Sequence, residues 1–301
     1  MSTLPVVAAV DGSDDSLRAL ELAFTAARTR EAPLRVVHAR QYAPWGQPDV
    51  LVAGPPDPAD DPVLGQVSAH LADRTGPPVP EYVALEGAPS AVLPELGADA
   101  QLLVLGSRGK GGFASLLLGS TSMAVAADAA CPVVVVPRPG RDVPDAPAAE
   151  PGPRVVVGLH VDGPDEATLA FAFEEAGLGG ARVQVIAAYP WPVQIWSAPG
   201  DFVPVAPGQD VIEGETRTLA DGFVAPHRKR HPGVQVELTV APGDAAGHLV
   251  AASKDADLVV VGRHRRRLLA PARMMGSVTR AVLLHAASPV AVVPPSGADE
   301  G

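Results

Sequence analysis

An internal repeat leaves this chain few folds to choose from. Gly119 to Pro137 (GSTSMAVAADAACPVVVVP) aligns without a gap with Gly276 to Pro294 (GSVTRAVLLHAASPVAVVP). Upstream, Val6 to Gly12 (VVAAVDG) returns as Val155 to Gly163 (VVVGLHVDG), and Leu102 to Gly106 (LLVLG) returns as Leu258 to Gly262 (LVVVG). A pattern carried twice in one order implies one structural unit built twice. The 301 residues hold two units of about 150 residues, a size at which an α/β unit buries its own core. Between them Arg138 to Pro153 (RPGRDVPDAPAAEPGP) is dense in proline and has no apolar periodicity, as linkers do. The expected division is a first domain over 1–140, a linker over 141–153 and a second domain over 154–301.

Each half reads as short apolar runs without alternation, separated by helical patterns, which is how strands covered on both faces appear. In the first half the runs are Val6 to Val10, Leu34 to Ala39, Val79 to Leu85, Leu102 to Leu105 and Val133 to Val136. After the first run Ser13 can cap a helix with Asp14 and Asp15 in its first turn and an apolar stripe of Leu17, Leu20, Phe24 and Ala27. Strand, turn and amphipathic helix in repetition predict an α/β fold. It comprises two tandem doubly wound, five-stranded, mostly parallel sheets with helices on both faces, a Rossmann-like architecture. Tyr42 to Pro62 and Tyr189 to Asp210 are proline-rich and read as surface loops.

A net charge of −11 opposes long-range attraction to nucleic acid or an anionic membrane, while leaving small anions free to bind locally. The N-terminal MSTLPVVAAVDGS lacks a basic stretch followed by an apolar run of signal-peptide length, and a cytoplasmic location is expected. Cys131 is the only cysteine, which excludes an internal disulfide and a thiolate-rich metal site. Its apolar setting reads as a buried structural thiol.

In doubly wound sheets ligands sit outside the carboxyl ends of the strands, where neighbouring crossovers diverge. Asp11 ends the first strand there, and Leu105 leads into Gly106-Ser107-Arg108-Gly109-Lys110-Gly111-Gly112. Glycines at such a turn let backbone N–H groups approach phosphate oxygens. The P-loop spacing is not met, because only two residues separate Gly106 from Gly109-Lys110, and Gly111 follows. Gly109, Gly111 and Ala114 match a loose dinucleotide pattern, but in the fourth crossover rather than the first. His38, inside an apolar strand, reads as a hydrogen-bonded core histidine, and Asp14 and Asp15 as helix first-turn acids.

Gly106 to Ser120 spells G-x2-G-x9-G-[ST]. Together with the strand ending at Asp11, this resembles the ATP-binding branch of the universal stress protein family, and the second copy resembles that family's tandem members. The resemblance implies that Val10, Asp11 and Gly12 line the nucleotide, with Asp11 on the ribose hydroxyls or on a metal carried in as Mg-ATP. It implies that Ala39 meets the adenine edge, that Gly106, Ser107, Arg108 and Gly109 surround the phosphates, and that Gly119, Ser120 and Thr121 close the other side. It also implies that the closing strands Val133 to Val136 and Val290 to Val293 pair, making an intrachain pseudo-dimer; a further homodimer is left open.

The second half departs from this pattern. An offset that pairs Phe24 with Phe173 pairs Asp11 with His160, and Asp162 falls two residues late. Arg265 replaces Gly109. Arg263, Arg265, Arg266, Arg267 and Arg273 form a basic stretch that either binds an anion by side chain or serves as a solvated or internally paired loop. His227 to His231 (HRKRH) reads as an exposed helix end. The leading expectation is a stress-response protein that binds ATP in its first half and regulates through occupancy, with an unknown protein partner. The alternatives are a weak ATPase or nucleotide-activating enzyme of a related fold, and a nucleotide-free scaffold. No catalytic residue is assigned.

Overall fold

The computed structural model describes residues 4–41, 57–110, 117–144, 151–190, 208–263 and 275–295. The first half runs β1 (Val6–Ala9), α1 (Asp14–Thr29), β2 (Leu34–Arg40), α2 (Pro62–Leu71), β3 (Pro80–Glu86), α3 (Pro89–Glu95), β4 (Leu102–Gly106), α4 (Ser120–Asp128) and β5 (Val133–Val136). The second repeats it as β6 (Arg154–Leu159), α5 (Glu166–Gly179), β7 (Arg182–Tyr189), α6 (Gln209–Arg230), β8 (Val236–Pro242), α7 (Ala245–Ala252), β9 (Leu258–Gly262), α8 (Ser277–His285) and β10 (Val290–Val293).

The strands form one ten-stranded sheet in the order β3-β2-β1-β4-β5-β10-β9-β6-β7-β8. Every neighbouring pair is parallel except β5 with β10, which run antiparallel with Val290 opposite Val135 and Val292 opposite Val133. All four residues of each closing strand are buried, so the pairing removes two apolar edges at once. One apolar cluster packs α1, α2, α5 and α6 on one face, and a second packs α3, α4, α7 and α8 on the other. Both clusters cross the seam between the halves.

Polar contacts pin that seam on each face. Arg30, the C-cap of α1, pairs with Glu175 of α5, and burial raises the Glu175 carboxyl above its ordinary range despite this partner. On the other face Arg141 Nη1 donates to the carbonyls of Leu283 and Ala286 at the end of α8, at 3.2 and 3.0 Å. Arg263 Nη1 donates to Ala127 and Ala129 at the end of α4, at 2.6 and 3.0 Å. Arg141, just after the first half, and Arg263 of the second thus bring a cation to the negative ends of α8 and α4. Arg263 is therefore an internal partner; Arg265, Arg266, Arg267 and Arg273 lie outside the described residues.

Local signals explain most elements. Ser13 caps α1 by accepting the Ser16 amide at 3.2 Å, and Leu20, Phe24 and Ala27 are buried on the predicted stripe. Three expectations are corrected. Val79 is 85% exposed and β3 begins at Pro80, whose missing N–H suits an edge-strand start. The proline-rich stretches are not loops throughout. Beyond residues 42–56, which lie outside the description, Asp61 is buried and caps α2 with Pro62 in its first turn; in the second stretch, Tyr189 is buried in β7 and Gln209 opens α6. His227 is not an exposed helix end: it is fully buried, stacks on Phe173 with centroids 5.1 Å apart and meets Glu166 Oε2 at 3.1 Å.

Candidate functional site

The order β3-β2-β1-β4-β5 places the crossover divergence between β1 and β4. Two backbone turns meet there, the one after β1 (Asp11-Gly12-Ser13) and the one after β4 (Ser107 to Lys110), and Asp11 joins them. Its Oδ1 accepts the Ser13 amide at 3.0 Å and the Ser13 hydroxyl at 2.6 Å. Its Oδ2 accepts the Lys110 amide at 2.8 Å, across 99 residues of chain. Burial acts to raise the Asp11 carboxyl, but hydrogen bonds from Ser13 and the Lys110 amide outweigh it and hold the group below its ordinary value of 3.8. Asp11 is thus an anchored anion.

Two glycines flank it, Gly109 for room and Gly12 for its left-handed backbone. A Cβ on Gly109 would stand 2.3 Å from Asp11 Oδ2. Gly12 has φ +75°, and a Cβ there would stand 2.7 Å from Lys110 Nζ and 3.1 Å from Gln66 Oε1. The ammonium of Lys110 therefore lies across the β1 turn, a position the sequence pattern did not mark.

The remaining predicted residues fall into a second group. Gly106 ends β4 against the backbone of Asp15, where a Cβ would meet the Asp15 carbonyl carbon at 2.7 Å, and its carbonyl accepts the Ser122 hydroxyl at 2.8 Å. The Ser107 amide donates to Val136 and the Gly119 amide donates to Ser107, both at 2.8 Å, so the two ends of the glycine loop are tied. Ser107 Oγ is buried without a hydrogen-bond partner among the described residues. Gly119 caps α4, in which Ser120 is exposed and Thr121 half-buried. Val10 and Ala39 are buried at the ends of adjacent strands, where the Val10 amide donates to Val37 at 2.9 Å. Gly111 and Gly112 lie outside the described residues.

Other candidates separate cleanly. Asp15 pairs with Arg18 and with Arg138 Nε at 3.1 Å and is 2% exposed, more than a first-turn acid. His38 Nδ1 lies 2.8 Å from Asp61 Oδ2. Burial raises the Asp61 carboxyl, but His38 and the amides of Leu64 and Val63 outweigh that and lower it. Burial pushes the Cys131 thiol up to about 11, consistent with an inert packed residue. Among the described residues no group of three or more His, Cys, Asp or Glu side chains is placed to hold a metal ion, and no helix is long and apolar enough to cross a membrane.

The second half keeps the frame and changes the centre. Thr279 Oγ1 donates to the Gly262 carbonyl at 2.7 Å, as Ser122 does to Gly106. His160, paired with Asp11 by the repeat, is exposed, and so is Asp162. The acid that packs against the strand end is Asp165: its Oδ2 accepts the Thr168 hydroxyl at 2.6 Å and would lie 2.6 Å from a Cβ on Gly262. The counterpart of Gly109, Arg265, lies outside the described residues.

Such a sheet, wound twice in one chain with an anchored carboxylate against a glycine turn in the first half, defines a tandem Rossmann-like protein. A model of the universal stress protein family matches residues 3–137 and again 153–294, and the chain belongs to that family. Universal stress protein Rv2005c of Mycobacterium tuberculosis strain H37Rv is 34% identical over 298 residues, covering 95% of this chain and 96% of its own. Universal stress protein Rv2623 of the same strain is 30% identical over 301 residues, covering 97% and 96%. Among solved structures, a universal stress protein from Archaeoglobus fulgidus DSM 4304 superposes with a TM-score of 0.59 at 15% identity, covering 98% of this chain and 100% of its own. That last likeness concerns the fold alone.

Proposed function

We propose that the first half binds an adenine nucleotide, ATP carried with Mg, and that the chain acts as a nucleotide-dependent regulator or sensor in stress response. The observation that carries this reading is Asp11, an ionised carboxylate fixed by Ser13 and bonded to the amide of Lys110 in the opposite turn. Family membership and the G-x2-G-x9-G-[ST] spacing support it.

The residues present fit such a ligand. The turn at Gly109 has space only because it lacks a Cβ, Ser107 Oγ has a bonding capacity no described residue uses, and Lys110 brings a cation to the β1 turn. In this reading Asp11 receives the ribose hydroxyls or a phosphate-borne Mg, exchanging the Lys110 amide for the ligand. Gly106 to Gly109 and Gly119 to Thr121 border the phosphates, and Val10, Gly12 and Ala39 border the nucleoside. The bound nucleotide supplies charge and shape rather than a reacting group. Release of Lys110 from Asp11 is the step through which occupancy would reach the rest of the chain. The β5–β10 seam is read as an intrachain pseudo-dimer, with the domains at the boundaries expected from the repeat.

Calorimetric titration of the full chain with Mg-ATP, beside Gly109→Arg, tests this reading. One site per chain that the variant loses is expected. Absence of heat and of thermal stabilisation at millimolar nucleotide would overturn it and leave the glycine loop a structural turn.

A further inference from the structure

One short bend gathers contacts from three parts of the chain. Arg138, Pro139, Gly140 and Arg141 follow β5. The proline fixes its own φ, and Gly140 takes φ +79°, the left-handed conformation that turns the chain. The two arginines leave the bend in different directions. Arg138 reaches back to α1, where its Nε donates to Asp15 Oδ1 and Oδ2 at 3.1 and 3.2 Å. Arg141 reaches forward: Nη2 donates to the Leu117 carbonyl at 2.8 Å, and Nη1 to the carbonyls of Leu283 and Ala286 at the end of α8. Because α1 packs on one face of the sheet and α8 on the other, the bend crosses from face to face beyond the carboxyl end of β5.

On the first-half side both contacts border the Asp11–Gly109 turn. Asp11 holds the Ser13 hydroxyl that caps α1, and the backbone of Asp15, in the first turn of that helix, lies against Gly106. Leu117 stands two residues ahead of Gly119, whose amide ties the glycine loop to Ser107. Asp15 already has a counter-charge within its own helix, since it also pairs with Arg18. The second half manages without a tie of this kind. The repeat places Pro295 at the position of Arg138, and Asp165, the acid beside Gly262, bonds the Thr168 hydroxyl. Packing a strand end on a helix start therefore does not require the arginine, and its presence in the half that carries Asp11 and Gly109 calls for another reason.

We propose that Arg138 to Arg141 form a strap that couples occupancy of the Asp11–Gly109 turn to the last helix of the second half, an inference that rests on the nucleotide reading. A ligand that takes Asp11 Oδ2 from the Lys110 amide shifts the glycine loop relative to the start of α1. The strap holds one point of each, Leu117 and Asp15. A loop fixed on its ligand fixes Arg141 in turn, and the carbonyls that end α8 are held with it, so the last turn of that helix frays less. Linkage makes the effect reciprocal: holding the end of α8 favours the ligand by the same factor.

Hydrogen exchange at residues 283–287 of the full chain, measured with and without saturating Mg-ATP, tests the coupling, and calorimetry reports the ATP affinity of each protein alongside. In the wild type ATP is expected to slow exchange at these residues about fivefold or more, a usual factor for coupled sites. Two variants act on the strap by different routes, which guards against a folding defect in either. Arg138→Gln removes the tie to Asp15, and Gly140→Val strains the bend, because a β-branched residue disfavours a φ of +79°, while leaving both arginines in place. In each, ATP should still bind, weakened by no more than the coupling lost, and the slowing should disappear. Arg18→Gln takes away the other cation on Asp15 and should keep the slowing. Unchanged exchange at 283–287 when ATP binds the wild type, a full response in both strap variants, or a response lost equally in Arg18→Gln overturns the inference and leaves the nucleotide reading standing. Absence of ATP binding to the wild type overturns both.

Discussion

Substitution of Gly109 by alanine tests the contact on which the first-half site rests. The new Cβ would stand 2.3 Å from Asp11 Oδ2, so the two turns must part by about an ångström to reach van der Waals distance. Parting by that much stretches the 2.8 Å bond from the Lys110 amide to Asp11 beyond hydrogen-bonding range. Loss of a bond to a charged acceptor costs about 1.5–3 kcal/mol. Gly109 is not in the left-handed region, so alanine also restricts the unfolded chain and returns about 0.4–1 kcal/mol. The net expectation is a loss of about 1–2 kcal/mol, or roughly 2–8 °C in melting temperature. In an Asp11→Ala background the same substitution should be neutral or slightly stabilising, because the carboxylate it strikes has gone. Urea unfolding of the four proteins in this cycle should give a coupling energy of about 1–3 kcal/mol. An equal cost for Gly109→Ala with and without Asp11 would refute the contact.

Two further outcomes follow from the same geometry. Asp11 has a folded pKa below its ordinary 3.8, so its contribution to stability is present above that value and is lost as pH falls through the lower folded one; the stability difference between wild type and Asp11→Asn, followed by urea unfolding, should therefore shrink between about pH 5 and pH 2, and a difference that grows on acidification would contradict the sign. Arg141→Ala and Arg263→Ala each strip helix-end carbonyls of a cationic donor, at about 1–3 kcal/mol, and hydrogen exchange should rise at the end of α8 in the first and of α4 in the second; a rise confined to the outer strands would remove their role at the seam.

Much of the frame was legible because it is written in local signals. Uninterrupted apolar runs marked β1, β4 and β5, and Ser13 with its acidic first turn marked α1. What escaped was partnership over long separations. Nothing near Asp61 in sequence announces His38, though Asp61-Pro62 is itself a cap followed by an N1 proline and could have signalled α2 inside a stretch read as loop. His227 was readable in part, since Thr216, Ala220, Val224 and His227 recur at helical spacing on the buried side of α6. Lys110 offered no such signal: its place over Gly12 depends on two turns separated by most of a domain. In the second half VDG repeats at Asp162, which is exposed, and the acid beside Gly262 is Asp165, the cap of α5, in the place that Asp15 takes beside Gly106.

The duplication also separates the features both halves keep from those only the first half has. Gly106 and Gly262 both end their fourth strands with no room for a Cβ, and both carbonyls take a hydroxyl from the following helix, Ser122 at 2.8 Å and Thr279 at 2.7 Å. A feature kept in both halves, including the half with His160 at the repeat position of Asp11, is explained by packing strand end against helix start. Gly106 and Gly262 are therefore accounted for by the packing of strand end on helix start. Asp11 and Gly109 are not shared, because the repeat has His160 and Arg265 at their positions in the sequence of the second half. The residues whose loss the fold tolerates are those that meet at the divergence of β1 and β4, and any ligand specificity of the first half must be sought in that pair.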